Sequence, residues 1–192
     1  MTQTRCVRLN GQDDLTIAAT DLPAPDRGQV RVAVLTGGIC GSDLHYWQEG
    51  GIGTIRVREP IILGHEAAGR IEAVGPDVTH LRVGQLVAMN PSHPCGTCDF
   101  CQAGLPHHCM AMRFKGSAMY LPHEQGMFRD GITIGAAQCH PLPDTTTPGA
   151  AACAEPLAVC LHAANRAEAI AGPLAGKTVL VTGAGPIGAL CV

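Results

Sequence analysis

The sequence predicts a mixed fold, a β-rich antiparallel domain followed by the opening of a parallel α/β unit. Three observations carry this expectation. Short stretches with strand-like alternation are separated by turn residues through the first 145 positions. An Ala-rich helical stretch follows. The apolar run Val179–Val181 then leads directly into a Gly-x-Gly-x-x-Gly turn.

Taken in order, residues 29–35 (QVRVAVL) alternate polar and apolar at strand period, and β-like runs follow at 67–74 (AAGRIEAV), 85–89 (QLVAM) and 132–139 (ITIGAAQC). With 24 Gly and 14 Pro, turns are frequent enough for an antiparallel barrel or sandwich. Hydrophobic residues make up 46% and aromatics only 3%, so aliphatic side chains must fill the core. Thr145–Thr147 before Pro148 mark a helix start, because proline fits the first helical turn. The Ala-rich stretch runs to about Ala171. Val179–Val181 read as a short buried parallel strand. Gly183, Gly185 and Gly188 would let backbone approach a pyrophosphate at a helix N-terminus.

Charge and composition exclude several functions. The net charge of −3, with both signs interspersed, suggests neither nucleic acid nor an anionic membrane as partner. The longest apolar stretch, 148–164, is broken by Glu155, Pro156 and His162 and is too short and polar to span a bilayer. The start, MTQTRCVRLN, has no apolar core of a secretory signal. Ten cysteines in that context imply a reducing, cytoplasmic setting in which thiolates bind metal.

Cys95, Cys98, Cys101 and Cys109 fall within PCGTCDFCQAGLPHHC. Three thiols at two-residue gaps and a fourth after seven give metal-ligand spacing for tetrahedral zinc. Disulfides, a redox Cys-x-x-Cys pair and ordinary buried thiols are the competing readings. The expected reducing setting disfavours the first, and a redox pair needs only two of the four. His93, His107 and His108 lie nearby and could replace one thiolate. Four cysteines already complete a tetrahedron, so this zinc is expected to be structural.

A second set is dispersed: Cys40 in GGICGSDLH, His65 and Glu66 in ILGHEAAG, and Glu155 in AEPLA. Donors far apart in sequence suit a catalytic zinc that keeps a position open. Individually, Cys40 reads as a core thiol, His65 as a partner for a buried carbonyl, and Glu155 as a helix cap.

The segment GHEAAGRIEAVGPDV (64–78), with Gly64, His65, Glu66, Gly69, Gly75 and Val78, resembles the signature of the zinc-containing medium-chain alcohol dehydrogenase family. CGSDLH, the four-cysteine lobe, AEPLA and the glycine turn follow the family's order, so the resemblance covers nearly the whole chain. The sugar-alcohol branch is nearest. GGICGSDLHYWQEG, MRFKGSAMY and AEPLAVCLHAA side with sugar-acid dehydrogenases over sorbitol and xylitol dehydrogenases.

The resemblance implies a GroES-like β-rich catalytic domain over 1–145, with a structural zinc lobe at about 91–112. It implies a connecting helical segment over 146–175 and the truncated start of a Rossmann domain over 176–192. It further implies two zinc ions per chain, with the catalytic one held by Cys40, His65 and a glutamate, either Glu66 or Glu155. Ser42 and His45 are expected to relay the alcohol proton towards solvent, and Tyr46 either touches substrate or serves the core. NAD or NADP would accept the hydride from a small-molecule sugar acid or polyol, in a protein that is a dimer or tetramer at full length. The chain is read as an N-terminal piece, inactive alone because most of the nicotinamide site is missing. The non-enzymatic alternative is a zinc-stabilised binding module.

Overall fold

The computed structural model describes residues 2–192. The chain opens with a hairpin of β1 (Thr2–Gly11) and β2 (Asp14–Leu22). β3 (Gln29–Gly38) leads into α1 (Gly41–Glu49), and three short strands follow, β4 (Gly51–Ile52), β5 (Ile55–Arg56) and β6 (Ile61–Ile62). β7 (Glu66–Val74) and β8 (Leu86–Met89) continue the main sheet, and β9 (Ser92–His93) starts a small lobe containing α2 (Asp99–Gln102). β10 (Arg113–Phe114) closes that lobe by pairing with β9. β11 (Gly131–Gly135), β12 (Cys139–Pro141), α3 (Pro148–Ala152), α4 (Ala154–Ala171) and α5 (Pro186–Leu190) complete the described chain.

The principal sheet has the order β11-β3-β7-β8-β12, and every pairing in it is antiparallel. Its outer strands are β11 and β12, which are joined by only a 3-10 turn at Ala136–Gln138. In a flat sheet those edges would lie about 19 Å apart, at roughly 4.8 Å per strand spacing. Four residue steps reach only about 14 Å. The sheet therefore curls like an open barrel, and its concave face encloses Val30, Val32, Ile71, Val87, Ile132 and Ile134. The three-stranded sheet β2-β1-β6 buries Leu9 and Ile61 with Tyr46 and Leu63 in a second cluster. Ala151 and Ala152 of α3 pack on Ala68 and Leu86, where small side chains allow close approach of helix and sheet.

Three elements differ from the sequence expectation. The run 132–139 is two strands on opposite sheet edges, because the turn at Ala136–Gln138 redirects it. The β1–β2 hairpin was not foreseen: β2 is largely solvent-exposed, so it lacks a clean apolar alternation. Val179–Val181 form no strand and join no sheet, and Leu180 is 86% exposed. A parallel strand needs a neighbour to complete its ladder, and no described strand pairs with this segment. Among the described residues, no helix is long and apolar enough to cross a membrane.

Candidate functional site

β3 and β7 pair antiparallel with Gly38 opposite Glu66, so the end of one strand meets the start of the other. Cys40 lies two residues beyond Gly38 and caps α1, and His65 immediately precedes β7. One donor atom each from Cys40, His65 and Glu66 all lie within 4.8 Å of one another. His65 is 7% exposed, and its ring packs against Phe114 at a centroid distance of 5.3 Å. No local pattern singles out Phe114, which reaches His65 only through the fold. A side chain at Gly38 would overlap the Glu66 carboxylate. Gly38→Ala is therefore expected to displace Glu66 and weaken metal binding here by about 10–100-fold, as loss of a supporting contact does. Competition with a chelator measures this, and unchanged affinity would show that Glu66 has room to move.

Asp43 was also missed. It is 3% exposed and ties the site together. Cys40 N–H donates to its Oδ2 and Gly64 N–H to its Oδ1, both at 3.0 Å, while His65 Nδ1 lies 3.9 Å from Oδ1. One carboxylate thus fixes the backbone at Cys40 and at the residue before His65, and it also faces the His65 ring. The spacing Cys-x-x-Asp at a helix start was the available signal, since an acidic residue three beyond the cap reaches back to the cap N–H.

The remaining expected residues surround this centre. Glu155, on the first turn of α4, stands outside the compact trio but close enough for its charge to be felt by His65 and Glu66. Burial, reinforced by Glu66 and opposed by His65, raises its pKa above the usual carboxylate value. A raised folded-state pKa means that ionising Glu155 opposes folding as pH rises through that range. For metal-free protein, Glu155→Gln is expected to raise the melting temperature near about pH 7, with the gain vanishing near about pH 3, where the carboxyl is protonated in both states. A lower melting temperature at neutral pH would contradict this. Ser42 and His45 are one turn apart on α1. Ser42 is half-buried, whereas His45 is exposed, with Nδ1 2.8 Å from Glu49 Oε1. Tyr46 is a core residue at 4% exposure, and its phenol oxygen accepts from Ala118 N–H at 3.2 Å. It packs in the cluster with Leu9, Ile61 and Leu63. Its ring also edges a small cavity with Phe114, Ser117 and Tyr120.

In the lobe, Cys95, Cys98, Cys101 and Cys109 bring their sulfurs within 4.8 Å of one another, and none is in a disulfide. A tetrahedral zinc with sulfur at about 2.3 Å needs sulfurs roughly 3.8 Å apart, so the cluster fits the ion. Cys95 Sγ receives the Thr97 and Cys98 N–H groups at 3.5 and 3.4 Å. These donors pull the Cys95 pKa down to about 6. Cys101 is pushed up to about 12 by burial and then by the Cys98 thiol. Four adjacent thiolates repel, so full ionisation needs a bound cation. His107 and His108 are exposed, with their rings tilted by 49° at a centroid distance of 4.3 Å, and neither belongs to the compact four-sulfur group.

Three glycines shape the turn that leads into α5. Gly183 is left-handed at φ 96, Gly185 caps α5, and a side chain at Gly188 would strike the Gly183 carbonyl. The backbone here is tightly turned, and Val179–Val181 beside it form no strand.

The fold and the donor sets together define a class. Residues 26–144 match the alcohol dehydrogenase GroES-like domain, and the chain belongs to that family. Among curated relatives, L-idonate 5-dehydrogenase (NAD(P)(+)) of Escherichia coli K12 is 47% identical over 161 residues, covering 84% of this chain and 45% of the relative. Sorbitol dehydrogenase of Macaca fascicularis is 39% identical over 180 residues, covering 94% and 48%. The crystal structure of L-idonate 5-dehydrogenase from Escherichia coli K-12 superposes with a TM-score of 0.90 at 41% identity, covering 98% of this chain and 53% of that one. The chain thus spans about half the length of the relatives it matches.

Proposed function

We propose that this chain is the catalytic-domain portion of a zinc-dependent dehydrogenase that oxidises a secondary hydroxyl of a sugar acid or polyol, with L-idonate as the favoured substrate. The observation that carries the reading is the convergence of three different zinc donors, Cys40, His65 and Glu66, on one point, with Glu155 beside them. A thiol, an imidazole and a carboxylate at separate chain positions make a donor set suited to a site with one place open. The NAD(P)(+) in the name of the idonate relative and the glycine turn support a nicotinamide coenzyme, NAD or NADP.

When bound, zinc supplies a Lewis acid for the hydroxyl and the nicotinamide supplies the hydride acceptor. The chain's own residues handle position and proton. Cys40, His65 and one glutamate hold the ion. Ser42 takes the hydroxyl proton and passes it to His45, whose exposed ring reaches water beside Glu49. Phe114 covers the buried flank of His65 and limits water there. The four-cysteine lobe holds a second, structural zinc. The whole protein is proposed to be a cytoplasmic homo-oligomer.

Metal analysis and turnover test the reading together. The metal-replete chain is expected to carry two zinc ions, and Cys40→Ser to lose one of them. The full-length protein containing this sequence is expected to reduce NAD+ or NADP+ with L-idonate, and sorbitol is the alternative substrate. A single ion that survives Cys40→Ser would favour a zinc-stabilised binding module. Absence of turnover with every sugar acid and polyol tried would overturn the dehydrogenase assignment.

A further inference from the structure

We infer that Cys160 and Cys191 form a redox-responsive dithiol pair at the contact between α4 and α5, closing to a disulfide under a peroxide and reopening with a dithiol reductant. Neither cysteine belongs to either candidate metal centre. Cys160 is on α4 and 6% exposed, whereas Cys191 directly follows α5 and is exposed. Both are fastened to one acceptor. Cys160 Sγ donates to the Ile187 carbonyl at 3.6 Å, and Cys191 N–H donates to the same oxygen at 3.1 Å. A carbonyl shared in this way brings the two cysteines to one point of the helix–helix contact.

The pair is asymmetric, which sets the order of events. Burial, and then the neighbouring Cys191 thiol, raise the pKa of Cys160, so it keeps its proton. Cys191 is open to solvent and reacts first. Its thiolate attacks a peroxide oxygen, the O–O bond breaks, and the leaving hydroxide takes up a proton to leave as water. The Cys160 sulfur then attacks the resulting sulfenic sulfur, loses its proton and expels a second water. In sum, two thiols and one hydrogen peroxide give one disulfide and two waters, with two electrons passing from sulfur to peroxide. The closed bond would staple α5 to α4 and so fix the turn Gly183–Gly188 that opens α5. This inference rests on the α4–α5 contact and is independent of the proposed substrate.

The test uses the zinc-loaded chain, in which the lobe thiols are occupied. Treatment with a small excess of hydrogen peroxide, alkylation and tryptic cleavage at Arg129, Arg166 and Lys177 separates peptide 130–166 from peptide 178–192. The expected product is a link between these peptides that holds most of the Cys191, two hydrogens lighter than their sum and dissolved by dithiothreitol. It should vanish in Cys191→Ser and in Cys160→Ala and persist in Cys153→Ser. Full alkylation of both cysteines after peroxide would overturn the pair. So would over-oxidation of Cys191 without a link, or a link that survives Cys160→Ala.

Discussion

Cys101→Ser is expected to remove the metal from the four-cysteine lobe and to unfold residues 91–112 while the curled sheet stays folded. The lobe has no apolar interior of its own. Phe100, Leu105 and Met110 are all exposed, α2 has four residues, and none of the lobe's residues joins the three core clusters. Apart from Pro91 at its base, its buried residue is Cys109, which is one of the four sulfurs. We propose that what orders this segment is the sulfur cluster with the zinc ion it would hold. Structural zinc supplies on the order of 10 kcal/mol to modules that depend on it, so losing one thiolate has a large local effect. Serine is a poor replacement because its hydroxyl stays protonated at neutral pH. The measurements are zinc content, expected to fall by one ion, and limited proteolysis, expected to cut within the lobe. Unchanged zinc content with an intact lobe would rule out the assignment.

The second large effect is expected at Asp43. Asp43→Ala leaves the Cys40 and Gly64 N–H groups without their acceptor in a buried setting. Hydrogen bonds to a charged group contribute about 1.5–3 kcal/mol each, so a loss of about 3–5 kcal/mol is expected from denaturant unfolding of the zinc-free chain. Metal affinity at the Cys40 centre should fall as well, by about 10–100-fold, because His65 and Cys40 lose their anchor. Asp43→Asn, which keeps one carbonyl acceptor, should fall between. A change within about 1 kcal/mol for the alanine variant would mean that water replaces the carboxylate.

Some of this was legible in the sequence for physical reasons. The lobe showed itself because tetrahedral sulfur coordination constrains spacing along a short loop. The start of α3 was visible too, since Thr147 Oγ1 accepts from Ala150 N–H and Pro148 follows it. β3, β7 and β8 appeared close to their observed limits because their inward faces alternate or run continuously apolar. Other features depend on partners that a local pattern does not carry. The reversal at Ala136–Gln138 is set by the closure of the sheet. Val179–Val181 has the composition of a strand, but a strand also needs a neighbour. Phe114 reaches His65 only because β10 folds back beside the site. Asp43 was readable as a helix cap, but its second bond, to Gly64, is a tertiary fact.

The pairing of Gly38 with Glu66 has a kinetic consequence. Two arms of the dispersed donor set grow from neighbouring rungs of one ladder, and the backbone beside them is pinned by Asp43. Such a socket is already shaped before an ion arrives. Refilling it after gentle stripping should proceed with little change in circular dichroism, whereas recovery of the sulfur loop should register as a coil becoming ordered.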